Sequence, residues 1–269
     1  MPVSLAPCYE FTTGKCRGFI RPKGHYHGLV LTAGADGAPL TRSGACTLNL
    51  EHYCARGRGG PFVPRDHVRQ EFETSDHSVT ITFHPGDDWH LTSRIRYEVF
   101  DDARFDVTFH FAFAADYTDF EAFIASYMAR REPPYVHLKD GWWRPSIIGS
   151  QQMFILLDGH RRSLVTDGRW DWLLKRRHTV PVPSGVADLP IFVTRDDSTG
   201  WSLIQLIEPG GAFALSPNVF APAHDLALVG RSVKSGEQVA VRVRLLYRQI
   251  SDFAQVTDLY DEFLRSLKT

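Results

Sequence analysis

Apolar and polar residues alternate along most of this 269-residue chain, and most regularly from His90 to Asp116. Leu91, Ile95, Tyr97 and Val99 interleave with His90, Arg94, Arg96 and Glu98. After Asp101-Asp102-Ala103, the series Phe105, Val107, Phe109, Phe111 and Phe113 interleaves with Asp106, Thr108 and His110. Successive side chains of a strand point to opposite faces. The pattern therefore predicts two long strands, 90–100 and 104–113, joined by a tight turn. One face enters a core, while the other carries arginines, carboxylates and imidazoles in rows.

Further strands are predicted at 16–21, 27–32, 45–50, 69–74, 78–83, 152–157, 162–166, 190–194, 201–207, 212–216, 226–233 and 238–247. Turn signals such as Asp36-Gly37, Pro85-Gly86, Pro209-Gly210-Gly211 and Ser235-Gly236 separate them. This density predicts an all-β, mainly antiparallel fold, a large β-sandwich rather than βαβ units. Two peripheral helices are predicted beside it. Thr118-Asp119-Phe120-Glu121 reads as a capping box opening a helix over 118–130, with Phe120, Phe123, Ile124, Tyr127 and Met128 on one stripe. Residues 252–267 repeat an apolar face through Phe253, Val256, Tyr260, Phe263 and Leu267. With no repeat, low-complexity tract or clear linker, residues 1–269 are expected to form one domain, the C-terminal helix packed on its outside.

Composition narrows the function classes. A hydrophobic fraction of 43%, with 12% aromatics, is ample for a core. A formal net charge of −1 gives no pull toward nucleic acid or an anionic membrane, and no apolar run approaches a membrane span. The N-terminus lacks the basic-then-apolar pattern of a secretory signal, so a soluble, cytoplasmic protein is expected. Cys8, Cys16, Cys46 and Cys54 lack the short spacing of zinc-binding pairs and are expected to be reduced thiols. There is no GxSxG elbow, Walker loop, HExxH or Rossmann fingerprint, so no resident cofactor is expected.

His25-Tyr26-His27-Gly28, the hairpin through Arg96-Tyr97-Glu98-Val99 and Phe105-Asp106-Val107-Thr108-Phe109, and Leu226 to Tyr247 together resemble segments of the galactose mutarotase-like superfamily of large β-sandwiches, which includes aldose 1-epimerases and sandwich domains of glycosidases and polysaccharide lyases. His25-Tyr26-His27-Gly28 is similar to the early histidine–glycine stretch of some members. The pair Arg96-Tyr97-Glu98-Val99 and Phe105-Asp106-Val107-Thr108-Phe109 resembles their central hairpin, and Leu226 to Tyr247 resembles their closing strand pair with its glycine–glutamate turn. The resemblance spans residues 20–250. It implies a sandwich with a ligand cleft on a concave sheet face, and a carbohydrate or sugar-acid ligand for that cleft.

The residues supply candidates for chemistry there, each beside a plainer alternative. His25 and His27 share a strand face if their segment is extended, and can do acid/base work or begin a divalent-metal site; a third ligand such as Glu51, His52 or His110 would then be needed. They can equally be two histidines beside a turn. His110, opposite Phe109 and Phe111, suits a general acid or base, or a satisfied structural histidine. Glu208, at a strand end before Pro209-Gly210-Gly211, is a candidate base or an ordinary turn residue, and His224-Asp225 is a secondary pair. Arg94 and Arg96 form either an anion clamp or a solvated ion-pair ladder. Trp142 and Trp143 can stack on a sugar ring or cap the sandwich.

The expectation is proton transfer on a bound sugar or sugar acid, either epimerisation or β-elimination. His27 or His110 and Glu208 would serve as acid and base, and His25, Arg94, Arg96, Trp142 and Trp143 would bind substrate. The alternatives are a non-catalytic carbohydrate-binding or assembly module of the same fold, and a metal-dependent sugar enzyme using His25 and His27.

Overall fold

The computed structural model describes residues 8–22, 26–34, 37–58, 60–130, 132–145, 154–157, 161–171, 186–218 and 223–268. The long hairpin forms as its alternation requires. Strands β7 (Leu91–Phe100) and β8 (Arg104–Phe113) pair from Leu91 opposite Phe113 to Phe100 opposite Arg104, and Ala103 closes the turn at φ +61.

This hairpin lies within an antiparallel sheet of nine strands. Beyond β7 come β6 (Ser78–Phe83) and β5 (Gln70–Thr74). Beyond β8 come β17 (Gln238–Gln249), β14 (Trp201–Ile207), β13 (Ala187–Arg195), β10 (Tyr135–Leu138) and β11 (Gly141–Trp143). A second sheet has the order β12 (Ile155–Leu156), β15 (Ala212–Asn218), β16 (Ala223–Val233), β9 (Tyr117–Ala125), β4 (Asn49–Cys54). A small third sheet joins β1 (Tyr9–Thr12), β2 (Cys16–Arg21) and β3 (Gly28–Ala33).

The main core lies between the two large sheets. Phe105, Phe109 and Phe111 of the nine-stranded sheet meet Phe120, Ile124, Leu226 and Leu228 of the five-stranded one, all fully buried. Each such side chain contributes about 1.5–3 kcal/mol through removal from water. Two further layers flank this core. Helix α2 (Ser163–Thr166) and Trp170 cover Phe123, Phe213 and Ala227 on the far side of the five-stranded sheet. Helix α3 (Ala254–Ser266) lays Val256, Tyr260 and Phe263 on Ile191, Ile204 and Leu246, outside the nine-stranded sheet. Helix α1 (Pro64–His67) is a single turn.

Two expectations need correction. Residues 118–130 hold no helix. Asp119, inside the apparent capping box, has φ +50, and 117–125 form β9. Phe120, Ala122 and Ile124 face the main core while Phe123 faces the layer beneath α2, so both faces of the strand are apolar. A strand covered on both sides loses its alternation and imitates a helical stripe. Residues 162–166, expected as a strand, instead contribute to α2. The cysteines are free, with Cys16, Cys46 and Cys54 buried and Cys8 exposed. No helix among the described residues is long and apolar enough to cross a membrane.

Candidate functional site

The fold disperses the residues singled out in the sequence. His27 is only 1% exposed. Its backbone N–H donates to Asn49 Oδ1 at 3.3 Å, and its Nε2 accepts the Leu50 N–H at 3.0 Å, which leaves the ring proton of the neutral form on Nδ1. The ring rests 4.8 Å from that of Phe83. Burial, with a smaller push from Arg65, lowers the His27 pKa to about 3. Gly28 follows at φ +112, where a Cβ would lie 2.7 Å from the Thr47 carbonyl oxygen, so the glycine is required by backbone geometry. His27 thus ties β3 to β4 and is sealed from any substrate. His25 lies outside the described residues.

His110 and Arg94 are paired across β8 and β7 on the outer face of the nine-stranded sheet, the side away from Phe83 and His27. His110 Nε2 lies 3.1 Å from Gln238 Oε1, and the exposed Arg96 bonds Glu98 at 3.0 Å. Glu208 pairs with Arg242 at 3.1 Å. Trp142 stacks on Phe253 at 4.7 Å beside α3, and Trp143 packs against the main core. From β11 to β7 are six strand steps of about 4.8 Å, roughly 29 Å. These residues therefore share no volume in which one sugar ring could meet them all.

A different cluster converges beside the five-stranded sheet. The β4–β9 register shifts between Leu50 and His52. Leu50 and Tyr53 enter the main core, whereas His52 stacks on Phe123 in the layer beyond the sheet. Such a bulge re-aims a side chain, here Glu51. Glu51 accepts Asn49 Nδ2 at 2.5 Å and both terminal nitrogens of Arg65 at 3.2 and 3.1 Å. Arg65 comes from α1, and its guanidinium lies 5.3 Å over the ring of Tyr26. The Tyr26 ring is 5.0 Å from that of Tyr127, just past the end of β9.

Tyr127 occupies the middle of this group. Its phenol is pushed well above the usual range, first by burial and then by the charges of Glu51 and Asp225 and by its hydrogen bond with Tyr26. Asp225, on β16 opposite Ser216, accepts the Ser126 N–H at 3.4 Å and is 3% exposed. Glu51 is the more open carboxylate, its side chain 20% exposed, and the Tyr26 and Tyr127 side chains are half-buried. The charges of two carboxylates, one of them tied to a guanidinium, therefore act on the phenol.

Deeper on the same side, Glu121 is fully buried. It accepts Arg169 Nη1 at 3.1 Å, and Arg169 Nη2 donates to Asp167 at 2.8 Å. Burial outweighs the arginine and lifts the Glu121 pKa to about 7. This triad pins residues 167–170, with Trp170, onto the sheet. Among the described residues no group of three His, Cys, Asp or Glu side chains is set to hold a metal ion.

No protein-family model matches the chain, and no curated protein matches it. Solved structures do. A candidate aldose 1-epimerase from Escherichia coli K12 superposes with a TM-score of 0.53 over 91% of this chain and 99% of its own, at 11% identity. The chain has a galactose mutarotase-like fold. A protein from Synechocystis sp. PCC 6803 gives a TM-score of 0.52 at 7% identity, over 93% of this chain and 99% of its own. An alpha-N-acetylgalactosaminidase from Bifidobacterium bifidum, in complex with GalNAc, gives 0.54 at 15% identity, over 96% of this chain and 39% of its own. At these identities the likeness is one of fold.

Within the mutarotase-like sandwich, the cluster is built from residues the sequence pattern ranks low. Glu51 and His52 enter the sequence reading only as extra metal ligands, and Tyr127 as part of a helical stripe. The available signal is His224-Asp225, which stands beside Ser126-Tyr127 once β16 and β9 are paired. The Tyr127–Ala223 bridge completes that alignment.

Proposed function

We propose that this protein binds a carbohydrate or sugar acid beside the five-stranded sheet and catalyses proton transfer on it at Glu51, Tyr127 and Asp225. The observation that carries the reading is the convergence of three strands on one place. Tyr127, past the end of β9, meets Tyr26, which lies under the Arg65 guanidinium held by Glu51 of β4. Asp225 of β16 binds the neighbouring Ser126 N–H. Glu51, the open carboxylate, would take a proton from the substrate. Tyr127 would give its proton to the ring oxygen when Glu51 takes the anomeric hydroxyl proton and the C1–O5 bond breaks. It would instead give it to a departing 4-alkoxide when Glu51 takes the C5 proton of a uronate. Proton exchange with solvent would then reset both groups. Arg65 would stabilise developing negative charge on oxygen, and Asp225 would keep the phenol protonated until that charge forms. Epimerisation results if the opened ring closes on the other face of the C1 carbonyl, both proton transfers being reversed; β-elimination results if the uronate carbanion expels its 4-substituent.

The carbohydrate class is supported by the fold neighbours, among them a candidate aldose 1-epimerase and a galactosaminidase holding GalNAc. The test begins with a thermal-shift panel of monosaccharides, uronic acids and oligosaccharides, since a ligand that binds only the folded state raises its stability. Ligands that bind are then incubated with protein in D2O. A faster change of anomer ratio, deuterium entering a C–H position, or a new unsaturated product is the expected result; a panel with no binder overturns the reading.

One observation favours a second reading, a binding-only module. Both Glu51 oxygens already accept bonds from Arg65 and Asn49, so taking a substrate proton would require one of those bonds to give way. Sugar binding without deuterium exchange, product or change of anomer ratio would select that reading.

A further inference from the structure

The two faces of the chain at 127–128 lead to different places. Tyr127 joins the cluster above, while its neighbour Met128 is 3% exposed and faces the main core. Met128 lines a partly enclosed cavity of about 150 Å³, together with Leu40 and Leu203. Another part of the lining is Trp201 and Tyr247, whose rings stack at 4.7 Å with 21° between their planes. Arg130 and Asp196, an ion pair, also line it.

Size and chemistry restrict the occupant. A cavity of ~150 Å³, apolar on one part of its wall and polar on the other, accommodates one six-membered ring. Two polar side chains of the lining, Asp196 and Thr194, are already engaged. Asp196 Oδ1 accepts the Ser198 N–H at 2.9 Å, the Ser198 hydroxyl at 2.6 Å and the Thr199 N–H at 3.3 Å. Its Oδ2 is held by Arg130. The Thr194 hydroxyl is bonded to His224 Nε2 at 2.6 Å. A ring bearing hydroxyls on every side would leave several of them unpaired, at about 1–3 kcal/mol each. A sugar is therefore a poor occupant.

Arg130 is different. Its side chain is 44% exposed, and a guanidinium carries five N–H donors, more than the Asp196 carboxylate uses. Its charge is matched by Asp196, so the remaining donors suit an uncharged oxygen better than an anion. We propose that this cavity is a binding site for a small, uncharged monocyclic aromatic compound with one carbonyl oxygen. The ring would pack among Met128, Leu40 and the Trp201–Tyr247 pair, and the oxygen would accept from Arg130. The site is separate from the Glu51–Tyr127–Asp225 cluster and does not depend on its activity.

The test is a ligand-observed NMR titration of the full chain with benzamide, benzoate and D-glucose. Benzamide is expected to bind saturably at millimolar concentration, with benzoate at least about fivefold weaker and glucose showing no saturation. Ala38→Phe, at the exposed rim, should abolish benzamide binding, and Arg130→Met should weaken it about fivefold, the worth of one hydrogen bond. Thermal melts establish that each variant is folded, and Arg130→Met alone decides the matter if Ala38→Phe is not. The proposal is overturned if benzamide does not saturate, if benzoate or glucose binds as tightly, or if folded variants bind benzamide like the parent.

Discussion

Glu51 accepts both terminal nitrogens of Arg65, at 3.1 and 3.2 Å, and the arginine side chain is only 6% exposed. A two-pronged pair of this kind fixes direction as well as distance. Removing one partner strands the other, and the loss exceeds the net worth of the pair. Because Glu51 is partly open, Arg65→Ala is expected to cost about 2–3 kcal/mol in urea unfolding, below the range for a fully buried pair. Arg65→Lys should recover less than half, since an ammonium cannot reproduce the fork. Equal stability of the Lys variant and the parent would show that the fork geometry is irrelevant.

Tyr127→Phe separates chemistry from packing. The variant keeps the ring that meets Tyr26 at 5.0 Å and removes only the phenol. Turnover of any substrate found in the sugar panel should fall at least about 100-fold, the usual contribution of a positioned acid. The thermal midpoint should move little. A catalytic rate within a few-fold of the parent would remove Tyr127 from the mechanism.

Arg94→Ala and Arg96→Ala provide the contrast. Both arginines stand on the solvated face of β7, where Arg96 pairs with Glu98 and isolated ion pairs contribute little. Each substitution should change stability by less than about 0.5 kcal/mol and leave sugar binding intact. Loss of sugar affinity in either variant would return the binding site to the hairpin face.

The hairpin was the most legible element in the sequence because water covers one of its faces and the core the other. Predicted bounds of 90–100 and 104–113 meet observed strands of 91–100 and 104–113. Strand β9 was misleading for the opposite reason, with apolar layers on both sides and a buried Glu121 that alternation cannot interpret. The cluster at Glu51, Tyr127 and Asp225 depends on a bulge and on the pairing of three strands distant in sequence. Neither leaves a period along the chain. The histidine–glycine pair at 27–28 was visible, but it marks a backbone constraint.

That constraint makes Gly28→Ala informative. At φ +112 a Cβ would stand 2.7 Å from the Thr47 carbonyl oxygen and 3.2 Å from the Tyr97 hydroxyl, which itself donates to the Leu48 carbonyl at 2.9 Å. Left-handed strain and backbone overlap together should destabilise by about 2 kcal/mol or more, measured as a drop in the urea midpoint. Gly44→Ala is the control. It also sits at positive φ, but a Cβ there meets nothing within 4 Å, so its cost should be smaller. Equal costs would mean that the overlap at Gly28 relaxes freely.

Buried ionisable groups set the acid limb of stability. Burial lowers His27, His52 and His224 from 6.5 to about 3, with Arg65 adding to the first two. Glu121 moves the other way, from 4.5 to about 7. The histidine contribution is present above 6.5 and is lost as pH falls toward about 3, because the unfolded chain takes up protons that the fold refuses. The Glu121 contribution is present below 4.5 and is lost as pH rises through about 7, because the fold holds a proton that the unfolded chain releases. Between these ordinary values, unfolding gains three protons on imidazoles and loses one from Glu121. The net uptake of about two protons makes stability fall with decreasing pH, by up to about 3 kcal/mol per unit. Stability limited by these four groups should therefore rise with pH through 6.5 and level off above about 7, where the imidazole and Glu121 contributions cancel. Glu121→Gln should steepen the rise by about one proton between 4.5 and about 7. Urea unfolding of parent and variant at matched pH values across that range measures this directly, and parallel curves would mean that Glu121 is ionised in the fold throughout.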